Sequence, residues 1–323
     1  MRYLLNKSTD PYFNMALDEF CLENIVVGEP YFYLWRNRPS VIIGLNQNAY
    51  SEVNLPYLEE HGITLARRVT GGGAVYHDLQ NLNYTIVSPL SDPTQSPTPI
   101  PIVAALRSLG IPAGLTGRND IFVEGRKVSG YARRVSKRQE IIHGTLMYDV
   151  DLDTLSKVLD APGSKLQAKG IGSVKSRVAN LKDYLPGLRS IDEVQAALQE
   201  ILADGDEVME LTGDQISEVM DMAENKFATW DFIYGRSRQA DLVRSAKLPC
   251  GTVEAAISLD RGLITGISFC GDFLFDEPAT ELESKLTGCR FEHDALAGIL
   301  DDETVSRCFP GTNSTDVLDL LSC

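Results

Sequence analysis

Apolar residues recur along the chain with two different spacings. Over Tyr12–Asn24 they fall at positions 13, 16, 17, 20 and 21, the spacing of one helical face, and Asp10-Pro11 is a typical helix start. Continuous aromatic and β-branched runs at Tyr31–Trp35 and Ser40–Leu45 instead predict two strands, separated by a turn at 36–39.

The same reasoning predicts the remaining elements. Helices are expected at 55–61, 102–109, 151–159, 191–203 and 214–229, and strands at 81–88, 121–123, 127–132, 141–148, 252–259 and 263–269. Strands and helices in this order predict an α/β (α+β) fold, with a mixed or mainly antiparallel sheet flanked by helices.

The pattern changes near residue 245. Beyond it come two strands joined by a hairpin at 260–262 and then several short helices. Residues 250–323 hold 14 acidic side chains against 4 basic ones. We therefore expect a large catalytic domain over 1–245 and a small α+β accessory domain over 246–323.

Composition and charge exclude several classes of protein. The 323 residues, 43% apolar and 23% charged, are typical of a folded globular chain, and the net charge of −15 argues against a nucleic-acid partner. No apolar run reaches the roughly 18–20 residues of a membrane span, and the first residues lack the apolar core of a signal peptide. We expect a cytoplasmic protein without a membrane partner.

The cysteines and histidines do not suggest a metal site. The six cysteines contain no Cys-x-x-Cys pair, and none of the four histidines stands at zinc-ligand spacing from them. Free, mostly buried thiols are therefore predicted.

Candidate chemistry begins with a glycine loop, RRVTGGGAVYHD over 67–78. Three successive glycines let the backbone approach a ligand and aim N–H groups at it, and Arg67 and Arg68 add charge suited to phosphate or carboxylate. The spacings of a P-loop and of a Rossmann fingerprint are absent. A flexible loop without a ligand is the alternative.

A second segment, GRNDIFVEGRKVSG over 117–130, predicts a hairpin. Its turn at Gly125 brings Asp120 and Lys127 toward the same end, where a cation lies beside a carboxylate. An exposed ion pair worth about 0–1 kcal/mol is the alternative. Two further segments, HGTL from His143 and KGIGSVKSRVANL from Lys169, carry little information alone.

Together and in this order, the four segments closely resemble lipoate–protein ligases of the LplA type, which have the catalytic fold of the biotin/lipoate ligase superfamily. The resemblance begins at DPYFN (10–14), includes WRN (35–37) and runs to about Trp230, and the C-terminal part resembles the accessory domain of two-domain members. It implies an ATP-dependent enzyme that converts lipoic acid to lipoyl-AMP and releases pyrophosphate. The lipoyl group then passes to a lysine of lipoyl domains in 2-oxoacid dehydrogenase E2 subunits or of the glycine-cleavage H protein. A monomer is expected.

The resemblance also assigns roles to single residues. Lys127 matches the family's lysine that contacts the lipoyl carbonyl and the α-phosphate, where an ammonium can stabilise both transition states. Contacts to ATP and lipoyl-AMP are carried over to Arg68, Gly73, Ala74, Val75, Tyr76, His77, Asn83, Asn119, Asp120, Lys127 and His143. Asp120 is the candidate ligand of Mg²⁺, because one carboxylate plus phosphate oxygens suffices for that ion.

Three other functions are considered. Octanoyl or lipoyl transferases on the same fold use a cysteine thioester, but Cys21, the only cysteine before Cys250, is not beside the Lys127 or His143 segments. A biotin–protein ligase would need a glycine–arginine adenylate loop that the chain lacks. A non-catalytic lipoate-binding relative would not need Lys127.

Basic residues cluster in two islands, residues 118–138 with seven bases and two acids, and residues 165–189 with six bases and one acid. Acceptor domains of the resembled family are generally acidic, so we expect the acceptor to dock on the first island. The expected contacts are Arg133, Arg134, Lys137 and Arg138. The acidic C-terminal domain should be repelled by the same partner, and is expected to move aside or gate the site.

Overall fold

The computed structural model describes residues 1–26, 28–90, 99–116, 119–159, 177–203, 205, 208–235 and 240–322. Residues 169–176 of the KGIGSVKSRVANL segment lie outside these residues, and so does Arg118 of the first basic island. Within the described ranges, no helix combines the length and the apolar character that crossing a membrane requires.

In the described part of the chain, fourteen strands form three sheets. The strands are β1 (Arg2–Leu4), β2 (Tyr31–Trp35), β3 (Ser40–Ile43), β4 (Thr64–Arg67), β5 (Val75–His77), β6 (Asn81–Pro89), β7 (Ala113–Thr116), β8 (Asp120–Val123), β9 (Arg126–Val135), β10 (Gln139–Met147), β11 (Val208–Met209), β12 (Leu242–Leu248), β13 (Gly251–Asp260) and β14 (Leu263–Gly271).

Helices cover the faces of these sheets. They are α1 (Pro11–Glu23), α2 (Ala49–Glu52), α3 (Leu55–Glu60), α4 (Ile100–Ser108), α5 (Leu152–Val158), α6 (Ile191–Leu202), α7 (Gly213–Met222), α8 (Trp230–Tyr234), α9 (Thr280–Leu286), α10 (His293–Ala297), α11 (Asp302–Cys308) and α12 (Ser314–Ser322). A 3-10 turn at Leu181–Tyr184 and a π-helical turn at Ala223–Phe227 complete the described elements.

The large sheet has eight strands in the order β11-β1-β2-β6-β10-β9-β8-β7. Its β11-β1-β2 pairs are parallel, whereas the pairs from β2 through β6, β10, β9 and β8 to β7 are antiparallel. A smaller mixed sheet, β4-β3-β5, belongs to the same part of the chain. The predicted α/β fold with a mixed sheet is therefore confirmed.

Helix α1 begins where the sequence indicates. The Asp10 carboxylate accepts the N–H groups of Tyr12 and Phe13, and Pro11 occupies the first turn, where its missing N–H costs nothing. The helix buries Met15, Leu17 and the neighbouring apolar residues in a core shared with β2 and β10. This packing buries two polar side chains of α1, Asn14 and Asp18, close to the sheets.

The C-terminal part has its own antiparallel sheet, β12-β13-β14, covered by the short helices α9 to α12. Its apolar cluster also includes Leu45 of the larger part. The two parts contact each other through the N–H of Gly271, which donates to Asn46 O (3.0 Å), and the N–H of Gly72, which donates to Phe273 O (3.1 Å).

Most predicted elements are present within a few residues of their predicted bounds. The long helix predicted at 214–229 instead ends at Met222 and continues as the π-helical turn. Several short strands, β1, β4, β5, β7, β11 and β12, were not predicted, because runs of two to seven residues carry little periodic signal.

Candidate active site

One open cavity, with about 570 Å³ of empty space, lies in the larger part of the chain. It is lined by residues of the eight-stranded sheet, of the β4-β3-β5 sheet with its glycine loop, and of α1. Nine predicted ligand contacts line it: Arg68, Gly73, Ala74, Val75, His77, Asn83, Asn119, Lys127 and His143. The other lining residues are Met15, Trp35, Ile42, Gly130, Tyr131, Ala132, Gly144 and Thr145. The cavity thus combines an apolar lining with a cation and several buried donors. That these residues contact ATP and lipoyl-AMP stays a prediction.

Lys127 and Asp120 form an ion pair beside this cavity, with Nζ 2.7 Å from Oδ1 and both side chains about a quarter to a third exposed. They reach each other because the β8–β9 register slips by one residue: Ile121 pairs with Ser129, but Phe122 pairs with Lys127. A regular register would place Lys127 on the other face of the hairpin. The bulge therefore turns the ammonium toward Asp120.

The hairpin turn and a neighbouring segment fix the Lys127 backbone. Glu124 and Gly125 both have positive φ (50° and 78°), as a two-residue turn between twisted strands requires. The Lys127 N–H donates to Arg177 O (2.8 Å), and the Ala179 N–H donates to Lys127 O (2.9 Å). The end of the KGIGSVKSRVANL segment is thus paired with the catalytic candidate.

His143 is part of a buried network that was not predicted from the sequence. Its Nδ1 lies 2.6 Å from Asp18 Oδ2, and its Nε2 lies 2.7 Å from Thr70 Oγ1. The Asp18 carboxylate is almost fully buried and also accepts hydrogen bonds from the hydroxyls of Tyr33 (2.6 Å) and Thr85 (2.9 Å). These partners hold the imidazole ring in one orientation at the cavity wall. One sequence feature could have indicated this network. Asp18 lies on the apolar, inward face of α1, and a carboxylate buried there needs a hydrogen-bond partner.

The two arginines at the start of the glycine loop lie in different surroundings, and only Arg68 lines the cavity. Arg68 lines the cavity, but its guanidinium donates to Ile42 O (3.0 Å), Gly71 O (2.6 Å) and Gly73 O (2.8 Å), so it shapes the loop. Burial, together with the charge of Arg67, lowers the pKa of Arg68 to about 10. The side chain remains a cation at neutral pH.

Arg67, expected to face an anion, is fully buried away from the cavity lining. Its Nη1 donates to the carbonyls of Gly44, Leu45 and Gln47 at 2.7–2.9 Å, and its Nε donates to Phe232 O at 2.8 Å. The expectation was wrong for this residue, because its strand position points it at the loop after β3 and at α8. Its role in the structure is to satisfy backbone carbonyls.

The glycine loop does not leave all its amides for a ligand. Gly72 has φ of +90°, and its N–H is used by Phe273 of the C-terminal part. Gly71 lies so close to Phe273 and Phe275 that a Cβ would collide with them. The loop is therefore held by the C-terminal part as well as by Arg68.

Tyr76 is the predicted contact whose side chain leaves the site. Alternation along β5 puts it in the apolar cluster with Val41 and Ile43, while Val75 and His77 face the cavity. Only its backbone is available to a ligand on this side.

Two of the four residues predicted to contact the acceptor already form ion pairs within the chain. Arg133 binds Glu140 (2.7 Å) and Asp276 of the C-terminal part (3.0 Å), and Arg134 lies 3.6 Å from Glu19. Lys137 and Arg138, at the tip of the β9–β10 hairpin, are exposed. In this structure the acidic C-terminal part is thus attached to the basic island; whether it moves aside stays a prediction.

The described residues contain no cluster of three or more side chains that could ligate a metal ion. Asp120 supplies a single carboxylate, which already pairs with Lys127. Mg²⁺ keeps several waters and is often held by one or two carboxylates plus substrate phosphates. These residues therefore fit an ion that arrives with the nucleotide.

Two family models match the chain. The lipoyl protein ligase A/B catalytic domain matches residues 10–203, and the bacterial lipoate protein ligase C-terminus matches residues 237–321. A lipoate–protein ligase, LplJ, of Bacillus subtilis is 34% identical over 97% of both chains. Lipoate–protein ligase 1 of Staphylococcus aureus is 36% identical over the whole of both chains.

Solved structures agree with these relatives. The bi-partite lipoate protein ligase of Thermoplasma acidophilum, studied with its E2 lipoyl domain, is 33% identical with a TM-score of 0.65, over 75% of this chain and 98% of that one. A lipoate–protein ligase A bound with ATP is 32% identical with a TM-score of 0.63, over 73% of this chain and 99% of that one.

The chain belongs to the lipoate–protein ligase family of adenylate-forming acyl ligases. It is an ATP-dependent enzyme that attaches lipoate to protein. The resemblance identified from the sequence is confirmed.

Proposed function

We propose that the cavity holds lipoate and then lipoyl-AMP, with Lys127 as the catalytic residue. The observation that carries this proposal is the lining itself: Trp35, Met15 and Ile42 offer an apolar wall, while Lys127 presents its ammonium to the same space. An acyl chain with a carboxylate at one end matches that combination.

The reaction needs two displacements at neighbouring atoms. A lipoate carboxylate oxygen attacks the α-phosphorus of ATP, and pyrophosphate leaves. The acceptor lysine amine then attacks the acyl carbonyl carbon, and AMP leaves as the amide forms. Negative charge increases on oxygens beside Lys127 in both steps, so one fixed ammonium can lower both barriers. Mg²⁺ would enter with ATP, with Asp120 as its one protein carboxylate.

Pyrophosphate exchange tests the activation step. We expect exchange of labelled pyrophosphate into ATP that depends on lipoate and does not occur with biotin, with octanoate assayed in parallel. Exchange with biotin, or none with lipoate, would contradict the proposal. Acyl transfer that requires acyl carrier protein and not ATP would favour a transferase.

We propose lipoyl domains of 2-oxoacid dehydrogenase E2 subunits, and the glycine-cleavage H protein, as acceptors of a monomeric, cytoplasmic enzyme. The Thermoplasma relative studied with its E2 lipoyl domain supports the first acceptor class. Docking is proposed at the tip of the β9–β10 hairpin, because Lys137 and Arg138 are exposed there whereas Arg133 and Arg134 are ion-paired.

Charge reversal at the hairpin tip should weaken acceptor binding. For Lys137→Glu with Arg138→Glu we expect the acceptor KM to rise several-fold at low salt, and the difference from wild type to shrink above about 0.15 M salt because exposed charges are screened. The KM for lipoate should not change. Lys182→Glu, another exposed lysine, is the control. An acceptor KM equal to that of the control would refute this docking surface while leaving the ligase assignment in place.

The thioester mechanism is disfavoured at Cys21. Its thiol is fully buried, is not among the described residues that line the cavity, and has a pKa raised to about 12 by burial. A thiol in this state supplies little thiolate at neutral pH. We expect Cys21→Ser to retain at least about half of the ligation rate, and mass spectrometry to find no acyl group on Cys21 in wild type. A trapped Cys21 thioester would count against the ligase mechanism.

A further inference from the structure

A series of buried polar side chains leads from the start of the chain to the cavity. Asn6, Asn14, Asn37 and His77 are each less than a tenth exposed. Asn6 Nδ2 donates to Asn14 Oδ1 (2.9 Å), Asn14 Nδ2 donates to Asn37 Oδ1 (2.8 Å), and Asn37 Nδ2 lies 3.1 Å from His77 Nδ1. Asn14 and Asn37 end the DPYFN and WRN segments, and neither asparagine has a role in the sequence prediction or a place in the described cavity lining.

Main-chain groups determine which end of each amide faces the next residue. The N–H of Ser8 donates to Asn6 Oδ1 (2.9 Å), so the nitrogen of Asn6 faces Asn14. The Asn14 nitrogen also lies 3.1 Å from Ser8 O and 3.2 Å from Arg36 O, and only an amide NH₂ can donate to these carbonyls. Asn37 must therefore present its oxygen to Asn14 and its NH₂ to His77.

This direction has a consequence for the imidazole. Because Asn37 donates, His77 Nδ1 must accept, and a neutral ring then carries its proton on Nε2. Burial, with the charges of Arg68 and His143, lowers the pKa of His77 to about 3, so the ring is neutral at physiological pH. Trp35 packs edge-on against the ring, with centroids 5.9 Å apart.

His77 Nε2 is buried and has no hydrogen-bond partner within the described part of the chain, although the residue lines the cavity. A buried donor that has lost water without gaining a partner is unfavourable. A ligand oxygen that accepts this hydrogen bond would recover that cost.

We propose that Asn37, held by Asn14 and Asn6, is a positioning residue that locks His77 in the Nε2–H tautomer, so that His77 donates to an anionic oxygen of a bound substrate. The oxygen belongs to the lipoate carboxylate or to an ATP phosphate, and this inference rests on the proposed function of the cavity. It gives the DPYFN and WRN segments a physical role: they set the direction of one hydrogen bond.

The test uses Asn37→Asp, which keeps the shape but only accepts hydrogen bonds. His77 Nδ1 must then take the proton, and the positive Arg68 nearby opposes a second proton on Nε2. Long-range ¹⁵N–¹H spectra at pH 8, with His77→Gln to assign the resonance, should show Nε2–H in wild type and a protonated Nδ1 in Asn37→Asp. Asn54→Asp, the same change at an N-cap where aspartate serves equally well, is the control.

In pyrophosphate exchange, Asn37→Asp should raise a substrate KM about tenfold or more, whereas Asn54→Asp should not. A rise in the lipoate KM assigns the carboxylate as acceptor, and a rise in the ATP KM assigns a phosphate.

Three results would each overturn the proposal: wild-type His77 protonated on Nδ1, an unchanged spectrum in Asn37→Asp, or KM values equal to those of the control. The wild-type spectrum decides the tautomer even if Asn37→Asp fails to fold. Wild type without lipoate-dependent exchange would count against the proposed function, and the spectra would still test the tautomer.

Discussion

Replacing Lys127 by alanine is expected to lower the rates of both lipoyl-AMP formation and lipoyl transfer at least about 100-fold. The ammonium stabilises oxygens that gain charge in both transition states, and such contacts are commonly worth several kcal/mol. Because the Lys127–Asp120 pair is partly exposed, its loss should change the free energy of unfolding by only about 1 kcal/mol. Pyrophosphate exchange measures the first step, and single-turnover transfer from preformed lipoyl-AMP measures the second.

Lys182→Ala is the matched control for that variant. Lys182 also pairs with an aspartate, Asp149 at 2.6 Å, but it is about half exposed and is not among the described residues lining the cavity. Its removal should leave both rates nearly unchanged. If Lys127→Ala retains more than about a tenth of either rate, the catalytic role assigned to this lysine is wrong for that step.

Arg67→Met is expected to destabilise the larger part of the chain by more than about 4 kcal/mol. The variant keeps much of the side-chain volume but leaves the carbonyls of Leu45, Gln47 and Phe232 without their buried donor, and each such loss costs about 1–3 kcal/mol. Both tryptophans, Trp35 and Trp230, lie in this part, so urea unfolding followed by tryptophan fluorescence reports on it. The midpoint should fall by more than about 1 M.

Arg38→Met separates this effect from a general loss of positive charge. Arg38 forms an ion pair with Asp10 at 2.6 Å and is nearly half exposed, so its loss should cost about 1 kcal/mol or less. Equal midpoints for the two variants would show that the buried hydrogen bonds of Arg67 contribute little.

The family, the mixed α/β fold and most of the longer elements could be predicted from the amino-acid sequence. The glycine loop, the Asp120–Lys127 hairpin and the His143 segment were recognisable because each depends on neighbouring residues: glycines, a two-residue turn and a strand pattern are local features. Helix α1 was predicted for the same reason, since its cap and apolar face lie within 14 residues of each other.

Which polar groups meet could not be predicted from the sequence, because it depends on how the elements pack. The one-residue bulge puts Lys127 on the face of Asp120, and the packing of α1 against the large sheet brings Asp18 to His143 across 125 positions of the chain. The two adjacent arginines illustrate the same limit, since one shapes the glycine loop at the cavity while its neighbour is buried against backbone carbonyls. A side chain's partner depends on strand register and on segments distant in sequence, and neither is encoded in a local pattern.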